Sequence, residues 1–524
     1  MSKPIPIIDL FAGPGGLGEG FTSVLDEENK RVFKIALSIE KDDFAHKTLT
    51  LRSFVRQFEP QALPDEYYSF VRGEIRDVEE LYKLYPEQAQ AAKHEAWKVE
   101  LGDRAQKITP HRVIDKRIKE TLQGNKDFVL IGGPPCQAYS LVGRSRRQQA
   151  DGLDENDPRV YLYREYYRIL AVHQPPVFIM ENVKGLLSAK VNSESVFNQI
   201  IIDLKNPFEA YKKLKGKEDL TYKPGYKIYS LVKLHDKDIY GQDIFEPRDF
   251  IIKSEEYGIP QARHRVILLG IRDDLDITPQ TLHRHRGTIS VNDVIGDLPK
   301  LRSGISKGKD SKEDWQLLLT ESIENKVWEG VEAKVLERII KVITEIKSPD
   351  RGRGGLFVNG DSELAHLRDW YIDEKLNGFS NHETRSHIKE DLYRYLFVSC
   401  FAEVNRRSPK LSDFPKQLLP KHLNIDKGIS ENKFGDRFRV QLSQEPSKTV
   451  TSHISKDGHY YIHPDPAQCR SLTVREAARI QTFPDNYYFC GPRTEQYHQV
   501  GNAVPPFLAS QIARIILNIF MELC

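Results

Sequence analysis

Cysteine is scarce and scattered in this chain: five in 524 residues, at Cys136, Cys400, Cys469, Cys490 and Cys524. None forms a CxxC pair or a zinc-ligand spacing, which excludes a disulfide framework, leaves no metal site to expect and fits a reducing, cytoplasmic compartment. No apolar run approaches the length of a bilayer span, and Met1-Ser2-Lys3-Pro4 leads straight into a strand without a signal-peptide core. No membrane association is expected. An excess of either charge is missing too, with 77 lysines and arginines against 75 acids, so any nucleic-acid surface must be a local basic face.

What the chain has is a rhythm of buried strands followed by turns. Phe128-Val129-Leu130-Ile131 reads as a strand buried on both faces, and Gly132-Gly133-Pro134-Pro135 follows as a stiff turn with Cys136 at its tip. Proline fixes φ and restrains its predecessor, so the thiol is held in place before any substrate arrives. Cys136 is read as a nucleophile, against the plainer alternative of a buried structural cysteine. Earlier, residues 5–10 form a short apolar strand, and Gly13, Gly15 and Gly18 then fit G-x-G-x-x-G, a pattern that suits a dinucleotide, S-adenosylmethionine or a tight turn. A second strand, 35–39, ends at Glu40, where a carboxylate can accept from ribose hydroxyls. Residues 48–124 read mostly as helix and loop, with Gly73-Glu74-Ile75 ending a third strand and 86–101 a solvated surface helix without chemistry. The strand Val177-Phe178-Ile179-Met180 delivers Glu181 at its carboxyl end, where open α/β sheets place ligands. Arg263 and Arg265, two apart before the strand 266–271, point the same way on an extended segment.

From about residue 273 to 471 this rhythm stops. Irregular polar sequence takes over, including Arg351-Gly352-Arg353, the stretch from Asn381 and His382 to Arg385, and Thr449-Val450-Thr451-Ser452-His453. Such side chains suit phosphates and base edges. Thr473-Val474-Arg475-Glu476 is a capping box opening a helix through Ile480 that Pro484 stops. A final helix carries Leu508, Ile512, Ile515, Ile516 and Ile519 on one stripe, which needs a partner. The C-terminus is therefore expected to return to the first domain, making the irregular region an insertion.

Six blocks, in this order, resemble the DNA (cytosine-5) methyltransferase family, of the bacterial modification-methylase type. They are Asp9-Leu10-Phe11-Ala12-Gly13 through Gly18, Gly133-Pro134-Pro135-Cys136-Gln137, Glu181-Asn182-Val183, Gln261-Ala262-Arg263-His264-Arg265, Arg475-Glu476-Ala477-Ala478-Arg479 and Gly501-Asn502-Ala503-Val504. The resemblance implies an α/β fold: a Rossmann-like S-adenosylmethionine-dependent methyltransferase domain over 1–280, completed by 490–524, with an inserted, irregular target-recognition domain at 281–489. It implies that Cys136 adds to C6 of a flipped-out cytosine so that C5 can take a methyl group from S-adenosyl-L-methionine. Glu181 would contact N3 and the exocyclic amine, Arg265 the O2 side, and Arg263 neighbouring phosphate or the acidic groups of the site. For the cofactor it implies Phe11 at the adenine, Gly13, Gly15 and Gly16 at the methionine part, and Glu40 at the ribose. Glu74 would meet the adenine amino group, one methylene longer than the family's aspartate, and Pro135, Leu162, Asn502 and Val504 would form the wall. Expected DNA contacts are Gln137, Ser140, Arg144, Arg351, Arg353, Asn381, His382 and Arg385. The expected partner is double-stranded DNA, methylated by a monomer, with a cognate restriction endonuclease acting separately. Three rivals compete. A tRNA cytosine-5 methyltransferase would lack so large an insertion, an inactive DNA-binding paralogue would not keep Cys136 and Glu181, and a Rossmann oxidoreductase leaves both unexplained.

Overall fold

The computed structural model describes residues 3–60, 62–102, 109–135, 162–191, 193–215, 223–234, 236–237, 243–420, 436–456 and 458–523. Eight apolar strands make one sheet: β1 (Ile5–Leu10), β2 (Phe33–Glu40), β3 (Ala96–Lys98), β4 (Val129–Gly132), β5 (Val177–Val183), β6 (Tyr226–Ser230), β7 (Ile251–Lys253) and β8 (His264–Arg272). Their spatial order is β3-β2-β1-β4-β5-β8, with β6 and β7 both on the outer edge of β8. From β3 to β5 all neighbours are parallel, and β8 runs antiparallel to β5. The order reverses between β1 and β4, so the turns leaving these two strands open into one crevice, the place where doubly wound sheets bind ligands.

Helices explain why the strands read as unbroken apolar runs. Helix α1 (Gly16–Thr22) follows β1, α2 (Asp43–Arg56) and α3 (Pro86–Glu95) lie between β2 and β3, and α4 (His111–Leu122) and α5 (Tyr163–His173) precede β4 and β5. Ile8, Leu10, Leu37, Leu130 and Phe178 face α4 and α5, while Ile5, Ile7, Ile35, Ile131 and Ile179 face α1 and the C-terminus. Two expectations fail at the third strand. Residues 73–75 form a turn after a helix rather than a strand end, and the surface helix expected over 86–101 stops at Glu95, leaving 96–98 as β3 on the sheet edge.

The middle segment has more regular structure than its composition suggests. Helices α6 (Lys312–Glu321), α7 (Ala333–Glu345) and α8 (Lys389–Asn405) share a core of Trp315, Leu319, Ile339, Val342, Leu396 and Phe397. Beside it, β9 (Gly354–Asn359) and β10 (Gly378–Glu383) pair as an antiparallel ribbon. Helix α9 (Val474–Ile480) opens on the expected capping box of Thr473 and Glu476. Helices α10 (Arg493–Asn502) and α11 (Pro506–Leu523) end the described chain.

Residues 493–523, which span α10 and α11, contain one 18-residue window long and apolar enough to cross a membrane by length and composition. That corrects the expectation that no such run exists. Its apolar stripe is nonetheless covered: Leu508, Ile512, Ile515, Ile516 and Ile519 are buried against β1, β2 and α1. The contact is backbone to backbone, since a Cβ on Gly20 would lie 2.3 Å from the Pro506 carbonyl oxygen. Glycine in α1 is therefore required by the return of the C-terminus.

Candidate active site

The crevice between β1 and β4 opens into a cavity of about 1250 Å³. Its first end is the turn after β1, where Phe11, Gly13 and Gly15 all take left-handed φ angles of 56°, 58° and 98°. The amide of Gly13 donates to Glu40 Oε2 at 2.7 Å, and those of Lys41 and Asp42 donate to Oε1 at 2.8 Å each. Three backbone donors thus fix this carboxylate at the end of β2. Phe11, Gly13, Gly16, Glu40, Leu162, Asn502 and Val504 line this part of the cavity together with Val99 and Leu101. Gly16 admits the C-terminal segment, since a Cβ there would come within 2.4 Å of the Val504 carbonyl oxygen.

Two of the expected cofactor residues lie elsewhere. Gly15 faces away from the cavity, where a Cβ would meet Leu49 and Tyr487. Glu74 is exposed and paired with Arg72 at 2.7 Å, on the turn that replaced the expected strand end. The residues that follow the third strand, Val99 and Leu101, line the cavity instead, which the helical composition of 86–101 concealed.

At the second end, Glu181 on β5 faces β8, and Arg265 Nε reaches its Oε1 at 2.9 Å. Burial lowers the pKa of Arg265, and the Glu181 carboxylate opposes that shift. Gly133 packs so close that a Cβ would lie 3.0 Å from Glu181 Oε2, which sets the Gly133-Pro134-Pro135 turn against the carboxylate. Pro135 lines the cavity and is the last residue described before Cys136. Cys136, Gln137, Ser140 and Arg144 lie outside the described residues.

Arg263 does not share the role expected of it. Although it borders the cavity, it is 1% exposed, and its guanidinium donates to Val450 O at 2.7 Å and Gly501 O at 3.2 Å. Burial and then the charge of Arg265 depress its pKa well below the usual value. It is a brace between the start of β8, residues 449–456 and α10, with its two terminal nitrogens on carbonyl groups and its buried Nε without a hydrogen-bond partner among the described residues. Those residues supply the facing wall: Thr449, Thr451, Ser452, His453, Ser455 and Lys456 line the cavity, as do Lys184, Ser188 and His498. Only the polar character of 449–453 announced this wall.

The C-5 cytosine-specific DNA methylase model matches residues 94–210 and 246–518. This chain belongs to the C-5 cytosine-specific DNA methylase family. The methylase is 34% identical to the type II methyltransferase M.Bpa9945I of Bacillus paralicheniformis, over 98% of both chains. It is also similar to M.DdeI of Desulfomicrobium norvegicum, 25% identical over 97% of this chain and 88% of that one. The DNA (cytosine-5-)-methyltransferase M.ApeKI of Aeropyrum pernix is 26% identical over 76% of this chain and 82% of that one. The sheet described above is the Rossmann-like sheet of S-adenosylmethionine-dependent methyltransferases, and the enzyme methylates cytosine at C5 in DNA.

Of the five DNA contacts expected in the middle segment of the methylase, most are engaged internally. Asn381 is 2% exposed and exchanges hydrogen bonds with the backbone of Phe489, and fully buried His382 bonds Thr473 Oγ1 and Pro299 O. Burial pushes His382 down to about 4, so it is a neutral member of an internal network. Neither side chain reaches DNA. Arg353 is tied to Asp310 and Thr384 O, and Arg385 to Ile454 O and the Tyr497 ring, 4.1 Å away. Arg351 alone of the five is exposed.

Proposed function

We propose that the methylase holds S-adenosyl-L-methionine at the Glu40 end of its cavity and a flipped-out cytosine of duplex DNA at the Glu181 end. The observation that supports this best is that both ends open into one cavity at the switch point of the sheet. The donor set fits the cofactor: a carboxylate fixed by three amides for the ribose hydroxyls, and Phe11, Val99, Leu101 and Leu162 as the apolar wall for the adenine. When bound, the cofactor supplies an electrophilic methyl group.

Cys136, one residue beyond Pro135, attacks C6 of the base, which makes C5 a nucleophile. Free thiols ionise near pH 8.5, so only about a few per cent is thiolate at pH 7 and the surroundings must favour the anion. Arg265 and Glu181 hold the pyrimidine edge, Arg265 also fixing the carboxylate. The base must leave the duplex to enter such a cavity. Residues 449–456 and Lys184 then face the DNA, Lys184 and Lys456 being exposed cations at its rim.

Residues 281–489 act as the target-recognition domain and 1–280 with 490–524 as the catalytic one. The enzyme works as a cytoplasmic monomer, as the modification half of a restriction–modification pair whose endonuclease acts separately. The type II names of its relatives support that reading. Tritiated S-adenosylmethionine offered with plasmid DNA or tRNA tests the substrate: label is expected in DNA, and label in tRNA alone overturns the reading. A duplex carrying 5-fluorocytosine should trap the enzyme as an SDS-resistant adduct, and its absence removes Cys136 as nucleophile.

A further inference from the structure

Behind the glycine turn, on the side away from the cavity, Tyr487 is fully buried and its hydroxyl donates to the Pro14 carbonyl oxygen. Its ring is held on all sides. Arg52 lies 4.9 Å from the ring centroid, and the Phe483 and Phe489 rings pack at 4.7 and 5.4 Å. Arg52 is itself fixed, with Nε and Nη2 on the Glu19 carboxylate of α1 at 2.8 and 2.5 Å and Nη1 on Asn486 Oδ1 at 3.1 Å. Asn486 in turn donates to Asp373 of the middle segment at 2.8 Å, and its carbonyl accepts from Tyr67 at 2.6 Å. Gly15, at φ 98°, lets the turn settle on this support, since a Cβ there would stand 3.1 Å from the Tyr487 oxygen.

From this geometry we infer that Tyr487 is a positioning residue for the cofactor turn. It sets the path of Pro14 and Gly15, and through them the affinity for the methyl donor, without touching the donor itself. Pro14 lines the cavity while Tyr487 does not. The reason is local. Left-handed glycines flank Pro14, so the direction of its carbonyl decides how the turn enters the cavity, and a buried carbonyl that loses its donor drives the turn to rearrange. The inference rests on the reading of this cavity as the S-adenosylmethionine site.

Tyr487→Phe removes one oxygen and keeps the ring stack. Tyr67→Phe removes a hydroxyl from the same network without touching the turn. Calorimetry of each full-length protein with S-adenosylhomocysteine is compared with the unliganded thermal midpoint and the KM for donor and for plasmid DNA. For Tyr487→Phe, Kd and donor KM should rise about five- to thirtyfold, with kcat and DNA KM within about twofold of wild type. Tyr67→Phe should keep the wild-type Kd whatever its midpoint. A wild-type Kd for Tyr487→Phe overturns the inference, and so does equal weakening in Tyr67→Phe, which would mark a general loss of stability. Failure of the wild-type protein to bind S-adenosylhomocysteine would instead overturn the reading of the cavity.

Discussion

One wall of the cavity is made of strand ends and the other of a loop held by side chains. Glu40, the Gly133-Pro134-Pro135 turn and Glu181 stand at the carboxyl ends of β2, β4 and β5, in the middle of a ladder of backbone hydrogen bonds. Residues 449–456 have little such support. Arg263 reaches Val450 O, Val450 N–H donates to Gln261 Oε1 at 2.7 Å, and Thr449 donates to Ala262 O at 2.7 Å. Gly501 packs against them so tightly that a Cβ would come within 2.3 Å of the backbone at Ser452. The strand-built wall is fixed by the sheet's hydrogen-bond ladder, while the loop depends on a few side-chain anchors. Substitutions in the first wall should change rate, and those in the second should change DNA affinity.

Removing the proposed nucleophile should break the comparison most completely. Cys136→Ala is expected to abolish methyl transfer yet bind S-adenosylhomocysteine as wild type does, which tritium incorporation and calorimetry on one preparation would check. Glu181→Gln should slow single turnovers by roughly 10²–10⁴, with DNA binding little altered; rates equal to wild type would make Glu181 a structural residue. Arg263→Met cuts the joint between the walls. It leaves the Val450 and Gly501 carbonyls without their charged donor, so urea denaturation should register a loss of about 1.5–3 kcal/mol together with a higher DNA KM.

Lys456→Ala sharpens the comparison on the loop side alone. If its ammonium meets a phosphate, the slope of log K against log salt should fall by roughly 0.9 and all sequences should weaken alike, with kcat unchanged. The last effect concerns stability and leaves activity aside, at Asp9 on β1, which is buried with neither carboxyl oxygen hydrogen-bonded among the described residues. Desolvation raises its pKa to about 8, against the lowering effect of Arg56 and with the support of Glu40. The folded protein then keeps this proton up to about pH 8, whereas the unfolded chain releases it near 3.8. Stability from Asp9 is fully present below the lower value and is lost as pH rises towards the upper one. Asp9→Asn should flatten the decline of the thermal midpoint from about pH 5 to 8; parallel curves for the two proteins would refute the shift.

The sheet was legible because helices cover both of its faces. Continuous apolar strands stand out from their turns, so β1 spans the expected residues, β4 is displaced by a single residue, and β5 carries the expected Glu181. At three residues, β3 is too short for any period to show, and the alanine, glutamine and lysine of α3 pull its sequence towards helix. The middle segment failed differently. Asn381 and His382 have the same polar character as the cavity-lining 449–453, but their partners lie far along the chain, at Phe489, Thr473 and Pro299. Composition cannot tell a polar group satisfied by a distant residue from one left facing a ligand. Arg263 and Arg265 make the same point two residues apart, one with its terminal nitrogens on the Val450 and Gly501 carbonyls and the other with its Nε on the Glu181 carboxylate.

The contact between α1 and α11 also has a kinetic side. The starts of these helices, Gly16 and Pro506, lie 490 residues apart in the sequence, so at translation rates of about 5–20 residues per second roughly 25–100 s separate the emergence of α1 from that of its cover. Through that interval the α1 face of β1 and β2 lacks the apolar stripe of α11, and exposed apolar surface of that kind is prone to aggregate. Loop closure on this scale also makes the last docking step slow relative to the folding of the middle helices around their own core. Val504, which presses on Gly16, arrives in the same late segment. The contact of Val504 with Gly16 is therefore assembled late, long after the sheet that carries Gly16 has been made.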